Sequence, residues 1–457
     1  MPTPPLRRLC LPGRPGRPGR PGRRIRTALA AAAALTLAAT GLSACGSGGP
    51  QDSAGGGGAA LEAWVYGDPS AAVQRKVVDR FNKTSDVKVK LVEIPGEGYQ
   101  DKMRTSMGTA NAPDIFFNWG GGSISDFAAK DMLVDLGPYM KKDPALKKAF
   151  IPSILDAGRI DGTYYGVPMR GMQPVILFYN KKVFREAGAQ PPSSWADMLD
   201  LIDTFKEKDV TPFALAGADP WTELMWLEYL LDRIGGPDVF QKIMDGDASA
   251  WNDPAMIKAG EMIRDLVDRG AFGKNYKSVN YTADGASTLF ARGKAAMHLM
   301  GSWEYANQQA NQKEFAEKGL GWTSFPAVPD GKGDPKDVVG NPTNYWSVNA
   351  TRVKKGERRD AAVEFLKFAS QDAYAKDLVA NGDVPATSDA KKQLGAHKSP
   401  EYATYQYDMV SEAPSFTLSW DQALPAKFTA PLTNNLQKLF NGDLSPKGFA
   451  DAMRRVQ

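Results

Sequence analysis

The sequence predicts an α/β protein built as two lobes, and three observations carry that prediction. From Leu61 to Asn118, β-prone runs alternate with helical periodicities in the order strand, helix, strand, helix, strand, the pattern of a parallel sheet with right-handed crossovers. From Leu61 to the C-terminus the chain is about 400 residues long, more than one hydrophobic core serves, so about two lobes are expected. The tract around Cys45 separates this domain from a leader of different composition.

The leader comes first. Arg23, Arg24 and Arg26 precede an uncharged Ala/Leu/Thr run from Thr27 to Ala39, a basic segment followed by an apolar one, as in a secretory signal. About 13 apolar residues fall short of the roughly 20 that a membrane-spanning helix needs. Leu42-Ser43-Ala44-Cys45 resembles the lipobox of lipoprotein signal peptides, which implies removal of residues 1–44 and lipidation of Cys45. The alternative is an ordinary signal peptide cut after Ala44. The Gly-Arg-Pro repeat between Gly13 and Gly22 lacks the length of a collagen helix and is expected to be unstructured.

Removing the leader changes the charge. The whole chain has 56 Lys+Arg against 52 Asp+Glu, but residues 1–44 hold eight arginines and no lysine or acid, which leaves 48 basic residues against 52 acidic ones. A net charge near −4 gives no electrostatic reason to expect a nucleic-acid partner. Cys10 leaves with the leader, so the exported domain has no disulfide and no cysteine metal cluster. His298 and His397, the only histidines, offer little to a metal site or a histidine-based hydrolase. No cofactor and no metal are expected.

Residues 46–60 are Gly, Ser, Ala, Pro, Gln and Asp, a composition that reads as a flexible tether with a reach on the order of 20 Å. The domain then opens with the strand Leu61–Tyr66. Asp68-Pro69-Ser70 starts a helix with Val73, Val77, Val78 and Phe81 on one face. Val87, Val89, Leu91 and Ile94 mark the second strand, Tyr99, Met103 and Met107 the second helix, and Pro113–Asn118 the third strand. In such sheets ligands bind beyond the carboxyl ends of the strands, which selects Tyr66, Asp68, Asn118 and Trp119. Gly120-Gly121-Gly122 has no Walker lysine after it and no Rossmann acid, and is expected to let a ligand approach the backbone.

Farther along, Ala112-Pro113-Asp114-Ile115, Leu133-Val134-Asp135-Leu136, Tyr165-Gly166-Val167-Pro168, Leu177-Phe178-Tyr179-Asn180, Pro191-Pro192-Ser193-Ser194-Trp195 and, above all, Phe290-Ala291-Arg292-Gly293-Lys294-Ala295-Ala296-Met297 with Gly301-Ser302-Trp303 follow one another in a telling order. Collectively they resemble the extracellular solute-binding proteins of carbohydrate ABC importers, the maltose-binding-like group, over most of Leu61–Gln457. That resemblance implies the two-lobed periplasmic-binding-protein-like fold of type II, with a hinge between lobes and sugar in the cleft. It also implies an ABC permease with a cytoplasmic ATPase as partner, a monomeric receptor, and no enzyme activity.

The expected division is 61–168 in lobe 1, 169–298 in lobe 2, 299–342 returning to lobe 1 and 343–457 completing lobe 2. Crossings are placed near Val167–Gly171, Met297–Trp303 and Gly340–Trp346. The chain departs from the family at the last of these, where Gly340-Asn341-Pro342-Thr343-Asn344-Tyr345-Trp346 replaces the usual Gly-Gly pair.

A sugar presents C–H patches that stack on aromatic faces and hydroxyls that each need a partner, which carboxylates, amides and arginine supply in pairs. Stretches of that character nominate Tyr66, Asp68, Asn118, Trp119, Gly120, Arg170, Asp219, Trp221, Trp303, Glu304, Asn344, Trp420 and Asp421. Trp64, Trp195 and Trp226 sit in core-like contexts. The expected function is a lipid-anchored receptor at the outer face of the cell membrane, attached through the lipid alone, that captures a sugar, an oligosaccharide by the number of tryptophans. Competing readings are a secreted glycoside hydrolase or lyase, a receptor for a peptide or polyamine, and a structural lipoprotein. The leader makes one prediction: Cys45→Ser should abolish labelled-palmitate incorporation and release the protein from washed membranes. Unchanged membrane retention would contradict the lipobox.

Overall fold

The computed structural model describes residues 60–456 except 69, 96–97, 157 and 282–284. The leader, Cys45 and the tether through residue 59 lie outside the described residues. Thirteen strands occur among the described residues: β1 (Leu61–Gly67), β2 (Val89–Pro95), β3 (Ile115–Asn118), β4 (Arg159–Ile160), β5 (Thr163–Tyr164), β6 (Val167–Pro168), β7 (Gln173–Asn180), β8 (Thr211–Ala214), β9 (Ala295–Gly301), β10 (Leu320–Thr323), β11 (Val338–Asn341), β12 (Tyr345–Val348) and β13 (Phe416–Leu418). Two large sheets, one per lobe, take eleven of them, and β4 and β5 form a separate two-stranded sheet.

The first sheet has the order β2-β1-β3-β12-β6. β1 runs parallel to β2, with Leu61 beside Val89, and parallel to β3, with Ala63 beside Ile115. The helix Ala71–Thr84 makes the first crossover and buries Val73, Val77, Val78 and Phe81, the residues whose helical spacing predicts it. Phe81 meets Phe365 and Phe368 edge-on at 5.3 and 5.5 Å. The second sheet has the order β13-β11-β7-β9-β8, with β10 on the outer part of β7. The helix Trp221–Gly235, buried along most of its length, packs in that lobe's core with Phe213, Phe272 and Phe325. Trp64 is buried in the first core, and Trp195 and Trp226 in the second. Ser194 caps the helix Trp195–Glu207, its hydroxyl accepting from the Asp197 amide at 3.2 Å.

Three segments cross between the sheets side by side. One runs from Pro168 to Gln173, one from Asn341 to Tyr345, and one follows the helix Asp372–Asn381. They bond to each other: the Met169 amide donates to Asn344 O at 2.8 Å, the Met172 amide to Val384 O at 2.8 Å, and the Thr343 hydroxyl to Arg170 O at 2.8 Å. Gly171 bridges Pro385, and a Cβ on Gly171 would stand 2.9 Å from Val384 O, so this approach excludes a side chain.

This arrangement corrects the expected lobe division. β9, β10 and β11 belong to the second sheet, so residues 299–342 do not return to the first lobe, and no crossing falls at Met297–Trp303. β12 lies against β3, and the helices Glu357–Phe368 and Asp372–Asn381 pack on the first core through Phe365, Leu366 and Tyr374. The 343–457 segment is therefore shared between lobes rather than confined to the second. The physical reason is burial: β9 is buried at every residue and pairs on both sides, with β7 and β8. A segment bonded on both edges is a central strand and cannot also be a linker.

One buried group carries a measurable consequence. Glu223, in the first turn of the helix Trp221–Gly235, is buried with neither oxygen hydrogen-bonded, and burial raises its carboxyl to about 8 despite Lys277 nearby. A carboxyl raised on folding contributes stability below its unfolded pKa that is lost as pH climbs through its folded pKa. Glu223→Gln should therefore gain stability relative to the parent between pH 5 and pH 9, on the order of a few kcal/mol, read as diverging urea midpoints. Parallel midpoints across that range would refute the assignment.

Candidate ligand-binding cleft

The two sheets present equivalent edges to the crossings. In the first, Pro168 at the crossing pairs with Tyr345, which pairs with Asn118 at the carboxyl end of β3. In the second, β7 starts at the crossing, with Pro174 beside Gly340 and Val175 beside Gly301. The carboxyl ends of β1, β3, β8, β9, β11 and β13 thus all point toward the space between lobes, where loops leaving parallel strands supply ligand groups.

The wall on the first lobe is aromatic. Tyr66, at the end of β1, lies 5.9 Å from Tyr99, 5.6 Å from Phe117 and 5.7 Å from Trp119. Trp119 stands edge-on to Phe117 at 4.7 Å. Tyr66 and Trp119 are half-buried, and Tyr99 and Phe117 beneath them are buried. Tyr99 donates its hydroxyl to Phe117 O at 2.7 Å, and burial pushes that hydroxyl's pKa well up, so it stays a donor.

Arg170, on the first crossing, is 4% exposed and grips Asp68 bidentately at 2.6 and 3.0 Å while also donating to Tyr66 O at 3.1 Å. Its guanidinium lies over Phe117, 5.0 Å from the ring centre. Both charges are committed, so Arg170 and Asp68 shape the wall and neutralise each other there.

On the second lobe, Trp221 stands edge-on to Tyr281 at 5.3 Å and lies 6.2 Å from Trp303. All three are half-buried. Asp219 accepts from the Tyr281 amide at 2.7 Å. Trp303 rests on Gly301, where a Cβ would come within 2.1 Å of its ring; the glycine is what lets the indole lie flat. Beyond these, Asp421 and Gln422 approach the first lobe, with the Gln100 amide donating to Gln422 Oε1 at 3.2 Å. Asp421 and Gln422 line a cavity of about 50 Å³ with Trp119, Tyr99 and Met103, and burial raises the Asp421 carboxyl to about 6.

The structure therefore gathers Tyr66, Asp68, Trp119 and Arg170 on one wall and Asp219, Trp221 and Trp303 on the other, with Asp421 at the rim. Five nominated residues do something else. Trp420 is 1% exposed and stacks on Phe240 at 4.5 Å and 6°, so it belongs to the core. Glu304 is fully buried and accepts from Tyr281 (3.0 Å), Ser287 (2.9 Å) and Gln308 (2.6 Å); it positions Tyr281 and is not a ligand contact. Asn118 is buried and spent on Ser347 at 2.8 Å and the Gly120 amide at 2.9 Å. Asn344 is buried in a crossing segment, where its backbone carbonyl accepts from the Met169 amide and its side-chain nitrogen has no protein partner. Gly120 is buried, and the two glycines after it face protein, with Gly121 against Leu418 and Gly122 against Leu424. Sequence reasoning misses Tyr281, Tyr99 and Gln100, while Gln422 stands in the Trp420-Asp421-Gln422 stretch that it selects. Asn280-Tyr281 in a polar stretch is a usable signal for the first; Tyr99 and Gln100 lack one.

These features meet a family model. Residues 64–376 match the model described as bacterial extracellular solute-binding protein. Among relatives, an uncharacterized ABC transporter extracellular-binding protein of Pyrococcus horikoshii is 27% identical over 52% of this chain and 54% of its own length, so that match spans about half of the relative. A diacetylchitobiose binding protein of Streptomyces coelicolor is 26% identical over 76% of this chain and 77% of its own. A structure solved in work on xylan utilization by the thermophilic bacterium Caldanaerobius polysaccharolyticus superposes with a TM-score of 0.76 at 25% identity, covering 87% of this chain and 99% of that one.

The reassignment of Trp420 is testable. Trp420→Ala should cost about 3 to 5 kcal/mol of stability as a core truncation, seen in chemical unfolding with no ligand added. A loss below about 1 kcal/mol would return Trp420 to the surface and to the site.

Proposed function

We propose that this chain, which belongs to the bacterial extracellular solute-binding protein family, is a lipid-anchored receptor that captures a saccharide between its lobes and delivers it to an ABC permease at the membrane. The observation that carries this reading is the pair of aromatic walls, Tyr66–Trp119 and Trp221–Tyr281–Trp303, set on opposing sheet edges with carboxylates and amides beside them. Indole and phenol faces suit the C–H patches of a sugar ring, and carboxylates and amides suit its hydroxyls. The diacetylchitobiose and xylan descriptions of the similar proteins point the same way.

Among the described residues no helix is long and apolar enough to cross a membrane; in this reading the lipid that Leu42-Ser43-Ala44-Cys45 implies on Cys45 holds the protein at the membrane. Capture works by closure: a ligand touching both walls stabilises the state that brings them together. Moving an equilibrium from 1:99 to 99:1 needs about 5.5 kcal/mol of differential binding, within reach of several ring stacks and charge-assisted hydrogen bonds. The alternative of hydrolysis draws no support from Glu304, whose oxygens are buried and already bonded.

A thermal-shift screen against mono- and oligosaccharides tests the reading, because ligand at 100 times its dissociation constant adds about 2.7 kcal/mol. Trp303→Ala and Trp119→Ala are each expected to weaken the best saccharide at least tenfold in titration calorimetry, with the sugar recovered intact. Absence of any saccharide-dependent shift, or turnover of the sugar, would overturn the proposal.

A further inference from the structure

The two lobes touch through protein atoms at one place where the sequence suggests an approach for a ligand. Gly121 and Gly122 follow β3 on the first lobe, and Gly121 takes φ 49°, a left-handed conformation that disfavours any side chain. A Cβ on Gly122 would lie 2.0 Å from Leu424 O and 2.8 Å from Ala423 O. A Cβ on Gly121 would lie 2.7 Å from Leu418 Cδ2 and 3.1 Å from Gln422 O. At Gly122 backbone meets backbone, and nothing flexible is available to move aside.

The opposing segment is rigid. The short helix Trp420–Ala423 is held by the Trp420 amide donating to Glu228 at 2.8 Å, by the Trp420 ring stacked on Phe240, and by the Ser419 amide donating to Gly340 O at 2.8 Å. Trp420 and Phe240 belong to the second core, so the segment moves only with its lobe. Beside it, Gln100 of the first lobe donates to Gln422, a directional bond across the same contact.

We propose that Gly121 and Gly122 determine lobe closure: their bare backbone is the seat for residues 418–424, and a side chain at position 122 holds the lobes apart and weakens ligand capture. This rests on the reading of capture by closure. It assigns to the glycines a positioning role, acting on the ligand through the distance between the walls.

The test uses the full chain with Cys10→Ser and Cys45→Ser, which removes both native thiols. Nitroxide labels go on Lys130→Cys in the first lobe and Asn434→Cys in the second, both exposed positions. Pulsed electron-spin distance measurement should show a longer separation in Gly122→Val than in the parent, with melting temperature preserved. Titration of that variant with the saccharide giving the parent's largest thermal shift should show at least a tenfold weaker dissociation constant. Gln422→Ala removes the cross-lobe bond without adding bulk and should move both readouts in the same direction by less.

An unchanged distance in a folded Gly122→Val overturns the proposal. If that variant does not fold, an unchanged distance in the Gln100→Ala, Gln422→Ala double variant overturns it. A parent that responds to no saccharide refutes the functional reading, while the label distances still decide the latch.

Discussion

The grip of Arg170 on Asp68 is the constraint on which the cleft depends. Arg170 sits on the first crossing, and its carbonyl is tied to Thr343 of the second. Its guanidinium spans to the loop after β1 and lies over Phe117. One side chain thus ties the hinge to the wall of the first lobe. A guanidinium removed from water is tolerable only where its partner meets it in good geometry, and the bidentate fork to Asp68 provides that. Removing Asp68 alone would leave the guanidinium over an aromatic ring with its bidentate partner gone and only the Tyr66 carbonyl bond kept. The pair is therefore coupled: either residue makes sense only with the other.

From that anchor the walls follow by packing. Trp119 is held edge-on to Tyr99, Phe117 and Tyr66, Tyr66 lies tilted against Tyr99 and Phe117, and Trp303 lies flat because Gly301 has no side chain beneath it. Glu304 fixes Tyr281 by accepting its hydroxyl. For the proposed capture of a sugar, rigid walls matter because aromatic faces already in place lose little side-chain entropy when a ring docks on them. The moving part is left to the three crossing segments, which are short and bonded to each other, so the lobes can rotate without either core opening.

Several elements are legible in the amino-acid order alone. The β1-to-β3 alternation announces a parallel sheet, and the apolar face from Val73 to Phe81 announces the first crossover helix. The order of motifs from Ala112 to Trp303 points to the family that residues 64–376 match. Trp64, Trp195 and Trp226 read as core and are core. The nominations that tertiary contacts overturn are of one kind. Trp420, Glu304, Asn118 and Asn344 have the residue types that a sugar site uses, and they stand at or just beyond strand ends. The sequence shows that a tryptophan follows a strand, but whether Phe240 stacks on it is set by a helix almost 180 residues earlier. The glycine triplet misleads for the same reason: its partner is a backbone segment some 300 residues away.

Local chemistry, then, determines by itself the α/β alternation of the first strands and the pool of aromatic and acidic residues from which a site could be made. Those depend on neighbours in the chain, and composition and period record them. Tertiary structure alone decides which members of the pool face the cleft, which strand is central and where the chain changes lobes. Each of those depends on what lies across a sheet edge or a lobe contact. The apolar run of β9 is compatible with several placements, a crossing among them, and only pairing with β7 and β8 on both edges makes it the centre of a lobe.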